Sequence, residues 1–168
     1  MSVHIRRARS SDDAALAALD RQCWSVLSDV VPARAPDTAF FGSGQSPADV
    51  VVATLDGRVV GWTRIAPPSP LPSNAHVQQL QGLGVHPDLR RRGIARALLL
   101  AALDLARSRG ASKVCLRVLA TNAAAQQLYR SAGFTIEGVL VDEFFLGGHY
   151  VDDVLMARFE SSAGQPRR

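Results

Sequence analysis

Two kinds of hydrophobic pattern alternate along the chain. Runs that are rich in β-branched residues or alternate between apolar and polar positions predict strands at Val3–Ala8, Asp49–Leu55, Arg58–Ala66, His76–Val85, Lys113–Leu119, Phe134–Phe145 and His149–Phe159. Apolar residues at helical spacing predict helices over residues 11–28, Gly93–Arg109 and Asn122–Ala132. This order predicts one mixed α/β domain over residues 1–160, followed by a disordered tail at residues 161–168.

Glycine and proline mark the connections between these elements. Asp56-Gly57 separates two predicted strands and is a strong signal for a hairpin turn. Residues 29–48 contain several glycines and prolines and predict a long irregular connection. Gly82 and Gly84 lie inside a predicted strand, which indicates a bulge or the close approach of another group to the backbone.

The composition is that of a globular protein. Of 168 residues, 47% are hydrophobic and 20% are charged, which excludes an intrinsically disordered chain. The longest apolar run, Ala97–Leu103, is far shorter than the about 20 residues of a membrane-spanning helix. Cys23 and Cys115 are distant from each other and have no clustered histidines, so we expect a cytoplasmic protein without a metal site.

The positive charge is concentrated in one segment. The net charge is +4, and residues 85–117 contain eight basic and two acidic side chains. Such a local excess of positive charge suits a nucleic acid, an acidic membrane surface or a phosphorylated small molecule.

A strand–turn–helix in this segment is the first candidate binding site. The predicted strand ends at Val85, and an arginine-rich turn leads through Gly93 into the next helix. The first backbone N–H groups of a helix have no partner within the helix and can bind a phosphate. Gly93 has no Cβ, so a diphosphate could approach the backbone there. The alternative is a solvated arginine run at the start of an ordinary helix.

The second candidate segment begins at Asn122, which is placed to cap a helix. Tyr129 follows two helical turns later, so the two side chains project from nearly the same face. A phenol, with a pKa near ~10, can donate a proton to a leaving thiolate. Taken alone, this tyrosine could equally be an ordinary core or surface aromatic residue.

Together the segments form an ordered set of motifs. They are Gly82–Val85, then R-x-x-G-x-A at Arg90, Gly93 and Ala95, then N-x-x-A-x-x-L-Y-x-x-x-G-F at Asn122, Ala125, Leu128, Tyr129, Gly133 and Phe134. In order and spacing this set resembles the GNAT acetyltransferase superfamily. The resemblance covers residues 3–159 and is most specific over residues 76–159.

The resemblance implies a particular fold and cofactor. The fold is a mixed, mostly antiparallel sheet of about six or seven strands with about four flanking helices. Members of the family bind acetyl-CoA in a wedge between two parallel strands that splay apart, which here would be His76–Val85 and Lys113–Leu119.

The resemblance also implies site residues. Those implied for cofactor binding are Leu83, Gly84, Val85, Arg90, Arg91, Arg92, Gly93, Ile94, Ala95, Arg96, Asn122, Ala125 and Tyr129. Tyr129 would act as the general acid beside the sulfur. A backbone N–H near Leu83 would stabilise negative charge on the carbonyl oxygen under attack.

The general base is not indicated by a single residue. An amine acceptor is mostly protonated at neutral pH, so a group must remove its proton. Many relatives have a glutamate on the fourth strand, but His76–Gln81 contains no carboxylate. The candidates are therefore His76, Glu143 and His149, with a chain of water molecules as the alternative.

The acceptor is expected to be an amine. The regions that select the acceptor in this family contain acidic and aromatic residues, which suit a cationic amine with an apolar body: Trp24, Asp29, Asp37, Phe40, Phe41, Asp142, Glu143, Phe144 and Tyr150. We therefore expect an acetyl-CoA-dependent N-acetyltransferase that acts on a primary amine of a small molecule or peptide.

Three alternatives stay open at this point. They are a protein N-terminal or lysine acetyltransferase, a non-catalytic CoA-binding regulatory module, and a nucleic-acid binder that uses Arg90–Arg92. Because residues 1–84 carry no net charge, we expect neither a nucleic-acid nor a membrane partner. A homodimer is left open.

Overall fold

The computed structural model describes residues 2–42 and 44–160. The strands are β1 (Val3–Arg7), β2 (Val50–Leu55), β3 (Arg58–Ala66), β4 (Val77–Val85), β5 (Lys113–Leu119), β6 (Thr135–Leu146) and β7 (His149–Phe159). The α-helices are α1 (Asp13–Cys23), α2 (Ile94–Ser108) and α3 (Ala123–Ser131). The strands form one sheet in the order β1-β2-β3-β4-β5-β7-β6, and every neighbouring pair is antiparallel except β4 and β5.

The predicted strands and turns are confirmed. Asp56 and Gly57 both have positive φ, 49° and 79°, as a type I′ hairpin turn requires. Gly110 and Gly133, which follow α2 and α3, have φ of 79° and 87° and end those helices in the left-handed conformation. The predicted disordered tail lies outside the described residues.

The first helix was predicted too long. It ends at Cys23 instead of residue 28, because Trp24 adopts an extended ψ of 136° and its indole N–H donates to the carbonyl of Val31 at 2.8 Å. Trp24 and Leu27, which extended the helical pattern in the sequence, are exposed. The described residues contain three α-helices instead of about four, since residues 24–42 and 44–46 form turns and irregular chain.

Each face of the sheet has its own hydrophobic core. On one face, α2 and α3 pack over a large cluster that includes Leu98, Leu99, Leu103, Val114, Phe134 and Met156. On the other face, α1 packs over a smaller cluster that includes Leu16, Leu19, Phe40, Val52 and Trp62. Among the described residues, no helix is both long enough and apolar enough to cross a membrane.

The parallel strands β4 and β5 are paired along only part of their length. Their register runs from Val77–Lys113 to Leu80–Leu116 and stops there, although β4 continues to Val85 and β5 to Leu119. The two strands therefore diverge beyond Leu80 and leave a wedge-shaped gap in the middle of the sheet.

A bulge in β4 lies where the strands diverge. Between Leu80 and Leu83, β4 has one residue more than β3, and Gly82 has a φ of 133°. The buried hydroxyl of Thr63 donates to the carbonyl of Gly82 at 2.8 Å. The indole of Trp62 lies against the same glycine, so that a Cβ on Gly82 would stand 2.6 Å from its ring.

We predict that Gly82→Ala destabilises the fold by about 2–4 kcal/mol. The substitution would force an unfavourable positive φ and overpack the Trp62 ring, and each effect costs roughly 1–3 kcal/mol. The measurement is the midpoint of urea denaturation. Gly42→Ala is the matched control, because Gly42 has no positive φ and a Cβ there would meet nothing within 4 Å. Equal midpoints for the two variants would contradict the role assigned to the bulge.

Candidate active site

A cavity of about 1140 Å³ opens at the gap between β4 and β5. One side of its wall is formed by Gln79–Val85 of β4, and the other by Arg117, Val118 and Leu119 of β5. The turn before α2, the first turns of α2 and α3, the chain after α1 and the β6–β7 hairpin complete the wall.

The backbone of β4 turns polar groups toward this gap. His86 donates its N–H to the carbonyl of Val60 at 2.9 Å, which makes that pair a hydrogen-bonded pair of the β3–β4 ladder. Because hydrogen-bonded and non-hydrogen-bonded pairs alternate in an antiparallel ladder, the N–H and C=O groups of Leu83 and Val85 point away from β3. The wedge therefore offers the N–H and C=O of Leu83 and the N–H of Val85 to an extended, amide-containing ligand, while the carbonyl of Val85 accepts a hydrogen bond from Nε of Arg90 at 3.3 Å.

The N-terminus of α2 provides a positive end to the cavity. Gly93 precedes the helix with φ of 79°, Arg91 has φ of 63°, and a Cβ on Gly93 would meet nothing within 4 Å. The first N–H groups of this 15-residue helix have no helical acceptors. Within the described part of the chain, the nearby arginines 90, 91, 92 and 96 have no carboxylate partner. This combination fits phosphate groups.

Most of the predicted cofactor-binding residues line the cavity. Those that do are Leu83, Gly84, Val85, Arg90, Arg91, Gly93, Ile94, Ala95, Arg96, Asn122, Ala125 and Tyr129. Arg92 is exposed and does not line it. Asn122 caps α3, because its Oδ1 accepts the N–H of Ala125 at 3.1 Å, which leaves its amide nitrogen for a ligand.

Tyr129 is buried in the wall of the cavity. Burial raises the pKa of its phenol to about 12. Among the described residues its hydroxyl has no hydrogen-bond partner, while its ring packs against Phe134 with the centroids 5.9 Å apart. Tyr129 therefore stays protonated at neutral pH and holds a free donor at the cavity.

Carboxylates lie on the part of the cavity wall that is formed by α1, the chain after it and the β6–β7 hairpin. Asp20 pairs with Arg34 at 2.9 Å, and Asp29 accepts the hydroxyl of Ser28 at 2.7 Å. Two further carboxylates, those of Glu143 and the buried Asp153, share the guanidinium of Arg117. We refer to the wall at the N-terminus of α2 as the basic end of the cavity and to this carboxylate-bearing wall as the acidic end.

The candidate bases are separated by the fold. Glu143 lines the cavity, whereas His76 lies at the start of β4, outside the wall, where its carbonyl accepts N–H groups from Ser112 and Lys113. His149 is exposed at the start of β7 and also lies outside the wall. Of the three, the structure brings only Glu143 to the cavity that contains Tyr129.

Several lining residues were not identified from the sequence. These are Asp20, Cys23, Trp62, Gln79, Gln81, Arg117 and Asp153. Arg117 lies between Leu116 and Val118, and Asp153 directly precedes the apolar run Val154–Met156, which are signals that the sequence does contain. Of the residues expected at the acceptor end, Asp29, Glu143 and Phe144 line the cavity, while Trp24, Asp37, Phe40, Phe41, Asp142 and Tyr150 do not.

Cys23 is a free thiol in the wall, and burial raises its pKa, so it is not an activated nucleophile. The described residues contain no group of three or more His, Cys, Asp or Glu side chains that could hold a metal ion.

Comparison with known proteins points to one family. The sequence profile of the acetyltransferase (GNAT) family matches residues 14–134. A mycothiol acetyltransferase from Cellulomonas flavigena is 38% identical over 93 residues, which are 52% of this chain and 27% of the relative. The chain thus matches only about a quarter of the length of this curated relative.

Two solved structures share the fold. A GCN5-related N-acetyltransferase from Kribbella flavida has a TM-score of 0.78 and 27% identity, covering 94% of this chain and 98% of that one. A Salmonella typhimurium protein solved with its cofactor acetyl-CoA has a TM-score of 0.81 and 20% identity, covering 99% of both chains.

Tyr129 makes the stability of the protein depend on alkaline pH. In the unfolded chain the phenol of Tyr129 ionises with a pKa near ~10, whereas in the folded protein its pKa is about 12. Between these values the unfolded state has lost the proton and the folded state has not, so stability falls as pH rises. We expect Tyr129→Phe to abolish a decrease on the order of 2–3 kcal/mol over that interval, measured by urea denaturation. Identical pH dependence in both proteins would contradict the assigned burial.

Proposed function

Because the chain belongs to the acetyltransferase (GNAT) family, we propose that it transfers the acetyl group of acetyl-CoA to a primary amine of a small molecule or peptide. The observation that carries this proposal is the position of Tyr129. Its protonated hydroxyl lies on a cavity that has a phosphate-binding helix N-terminus at one end and carboxylates at the other.

The residues of the wedge fit a CoA thioester. The N–H and C=O of Leu83 and the N–H of Val85 can pair with the amides of a pantetheine arm, as a further strand would. The N-terminus of α2 with Arg91 and Arg96 can hold the pyrophosphate. That a structural neighbour contains acetyl-CoA supports the same assignment.

The chemistry needs three proton transfers, two from the acceptor nitrogen and one to the sulfur. When bound, acetyl-CoA supplies an acetyl group on sulfur, and transfer forms a C–N bond while the C–S bond breaks and its electron pair leaves with the sulfur. Tyr129 gives its proton to the departing sulfur. Because its pKa is raised, the phenol gives up this proton only as negative charge develops on the sulfur. The acceptor nitrogen loses two protons, one before it attacks and one after the C–N bond forms. Glu143 takes the first and releases it to solvent before it takes the second, and exchange with solvent restores both Glu143 and Tyr129.

The acidic end of the cavity favours a cationic acceptor. Glu143, Asp153 and Arg117 together carry one negative charge, and Asp29 adds another without a basic partner among the described residues. Exposed Leu27 and half-buried Phe144 lie beside these charges on the wall. We therefore propose an ammonium group attached to an apolar body as the acceptor.

The domain and its setting are proposals of the same kind. The strands that build the sheet run from Val3 to Phe159, which supports one acetyltransferase domain over residues 1–160. Both cysteines are free thiols, which supports a cytoplasmic location. If the protein forms a homodimer, the open edge of β6 with exposed Val141 and Phe145 is the surface that we expect it to use.

Acetyl-CoA is expected to raise the melting temperature of the protein. A ligand that binds only the folded state stabilises it by about 2.7 kcal/mol at a hundred times its Kd. Arg91→Ser should weaken binding, measured as Kd by calorimetry at low and high salt. Arg58→Ser is the control, because Arg58 is an exposed arginine of the β2–β3 hairpin outside the cavity. No thermal shift at millimolar acetyl-CoA would contradict the proposed cofactor.

Tyr129→Phe is expected to lower kcat by about a hundredfold or more while the Kd of acetyl-CoA changes little, because only the donated proton is lost. The assay follows release of the CoA thiol with a panel of amines. The panel contains phenethylamine, a diamine, an aminosugar, a peptide with a free N-terminus and an N-terminally acetylated peptide with one lysine. Turnover of the last two identifies a protein acetyltransferase. Binding of acetyl-CoA without turnover of any amine identifies a non-catalytic CoA-binding module.

A further inference from the structure

Asp153 is a buried carboxylate in the cavity wall that the proposed reaction does not use. It lies on β7 with 2% of its surface exposed, and it accepts a hydrogen bond from Nε of Arg117. Desolvating a carboxylate costs several kcal/mol, and the Arg117 side chain is 44% exposed, so solvent screens the attraction that would offset this cost. Stability alone therefore does not account for this pair.

Arg117 connects Asp153 to Glu143. Nε of Arg117 donates to Asp153, and Nη2 of the same side chain donates to Oε1 of Glu143 at 3.2 Å. The guanidinium also lies 5.9 Å from the centroid of the Phe144 ring. Because a guanidinium is planar, a hydrogen bond that holds Nε against a buried carboxylate also sets the direction in which Nη2 points.

Glu143 needs such a support, because the sheet does not position it. The β6–β7 register breaks between Leu140 and Phe144, so Glu143 lies in a bulge that lacks a paired residue on β7. Asp142 within this bulge has φ of 52°. Within the described part of the chain, the polar partner of the Glu143 side chain is Arg117.

We propose that Asp153 and Arg117 are positioning residues for acetyl transfer, which hold the carboxylate of Glu143 at the acceptor end of the cavity so that it receives the ammonium group and its proton. This role rests on the proposed function. Asp153 acts through Arg117 and does not itself touch the acceptor.

Other titratable and charged groups also line the cavity. Tyr129 approaches from α3, Asp20, Cys23 and Asp29 from α1 and the chain after it, and Arg90, Arg91 and Arg96 from the turn before α2 and its first turn. They are the same in every variant below, so differences between variants report on Glu143 and its two partners.

The chain contains a matched pair for comparison. Lys113 on β5 reaches Glu137 on β6 across β7 with an Nζ–Oε1 distance of 2.7 Å, as Arg117 reaches Glu143. The Lys113–Glu137 pair lies outside the cavity wall. Glu137→Gln therefore removes an ion pair of the same strands without touching the proposed site.

The test measures kcat/KM for the amine of the panel with the highest turnover, in Asp153→Asn, Glu143→Gln, the double variant of both, and Glu137→Gln. Melting temperature and the Kd of acetyl-CoA are measured for each protein. We expect Asp153→Asn to lower kcat/KM by about ten- to a hundredfold with an unchanged Kd, because a carboxylate that is displaced by ~1 Å loses that much in rate. In the Glu143→Gln background, Asp153→Asn should have no further effect.

The pH profile gives a readout that a structural role would not move. Arg117→Gln/Asp153→Asn removes both charges at once, so no buried charge is left unpaired, and this variant also serves if Asp153→Asn fails to fold. It takes the neighbouring cation away from Glu143. The acidic limb of the kcat/KM profile should therefore move to higher pH than in the unmodified protein, with the same amine in both.

The outcomes separate this role from the proposed function. If the unmodified protein acetylates no amine of the panel, the proposed function fails and the positioning role fails with it. If the unmodified protein is active, three results would each overturn the positioning role alone: Asp153→Asn as active as Glu137→Gln, full additivity with Glu143→Gln, or an unmoved acidic limb in the charge-free variant.

Discussion

The bulge at Gln81–Gly82 is the constraint on which the rest of the site depends. One extra residue in β4 changes the direction of the strand after Leu80, and pairing with β5 ends at that point. An unbroken parallel ladder would pair Leu83 and Val85 with β5 and leave no backbone groups for a ligand. The bulge is stable because Thr63 satisfies the Gly82 carbonyl and Trp62 packs flat against the glycine.

The wedge then brings together groups of opposite charge that are remote in the sequence. The helix N-terminus and its arginines form the basic end, and the carboxylates around Arg117 form the acidic end. Tyr129 lies on the same wall in an apolar setting that keeps its phenol neutral. Such a wall can attract a polyanionic ligand through its arginines and a cationic ligand through its carboxylates.

Much of the fold could be predicted because its signals are local. Strand pattern, the Asp56-Gly57 turn and the glycines that end α2 and α3 depend on neighbouring residues, and the structure confirms them. The predicted end of α1 was wrong because Trp24 continues the apolar periodicity of the sequence. In the structure its indole N–H donates to the carbonyl of Val31, and the ring does not pack in the core. The periodicity of neighbouring residues cannot predict such a contact, because the contact depends on the path of the chain after the helix.

The site divides in the same way. The turn at Gly93, the cap at Asn122 and the tyrosine two turns beyond it could be predicted from the sequence alone, because each is a helix feature of fixed spacing. Only the tertiary structure decided which carboxylate faces the cavity. It excluded His76 from the wall, placed Glu143 there and set the buried Asp153 beneath Arg117. The physical reason is that these side chains meet across three strands, where strand order, register and a bulge in β6 fix their separation.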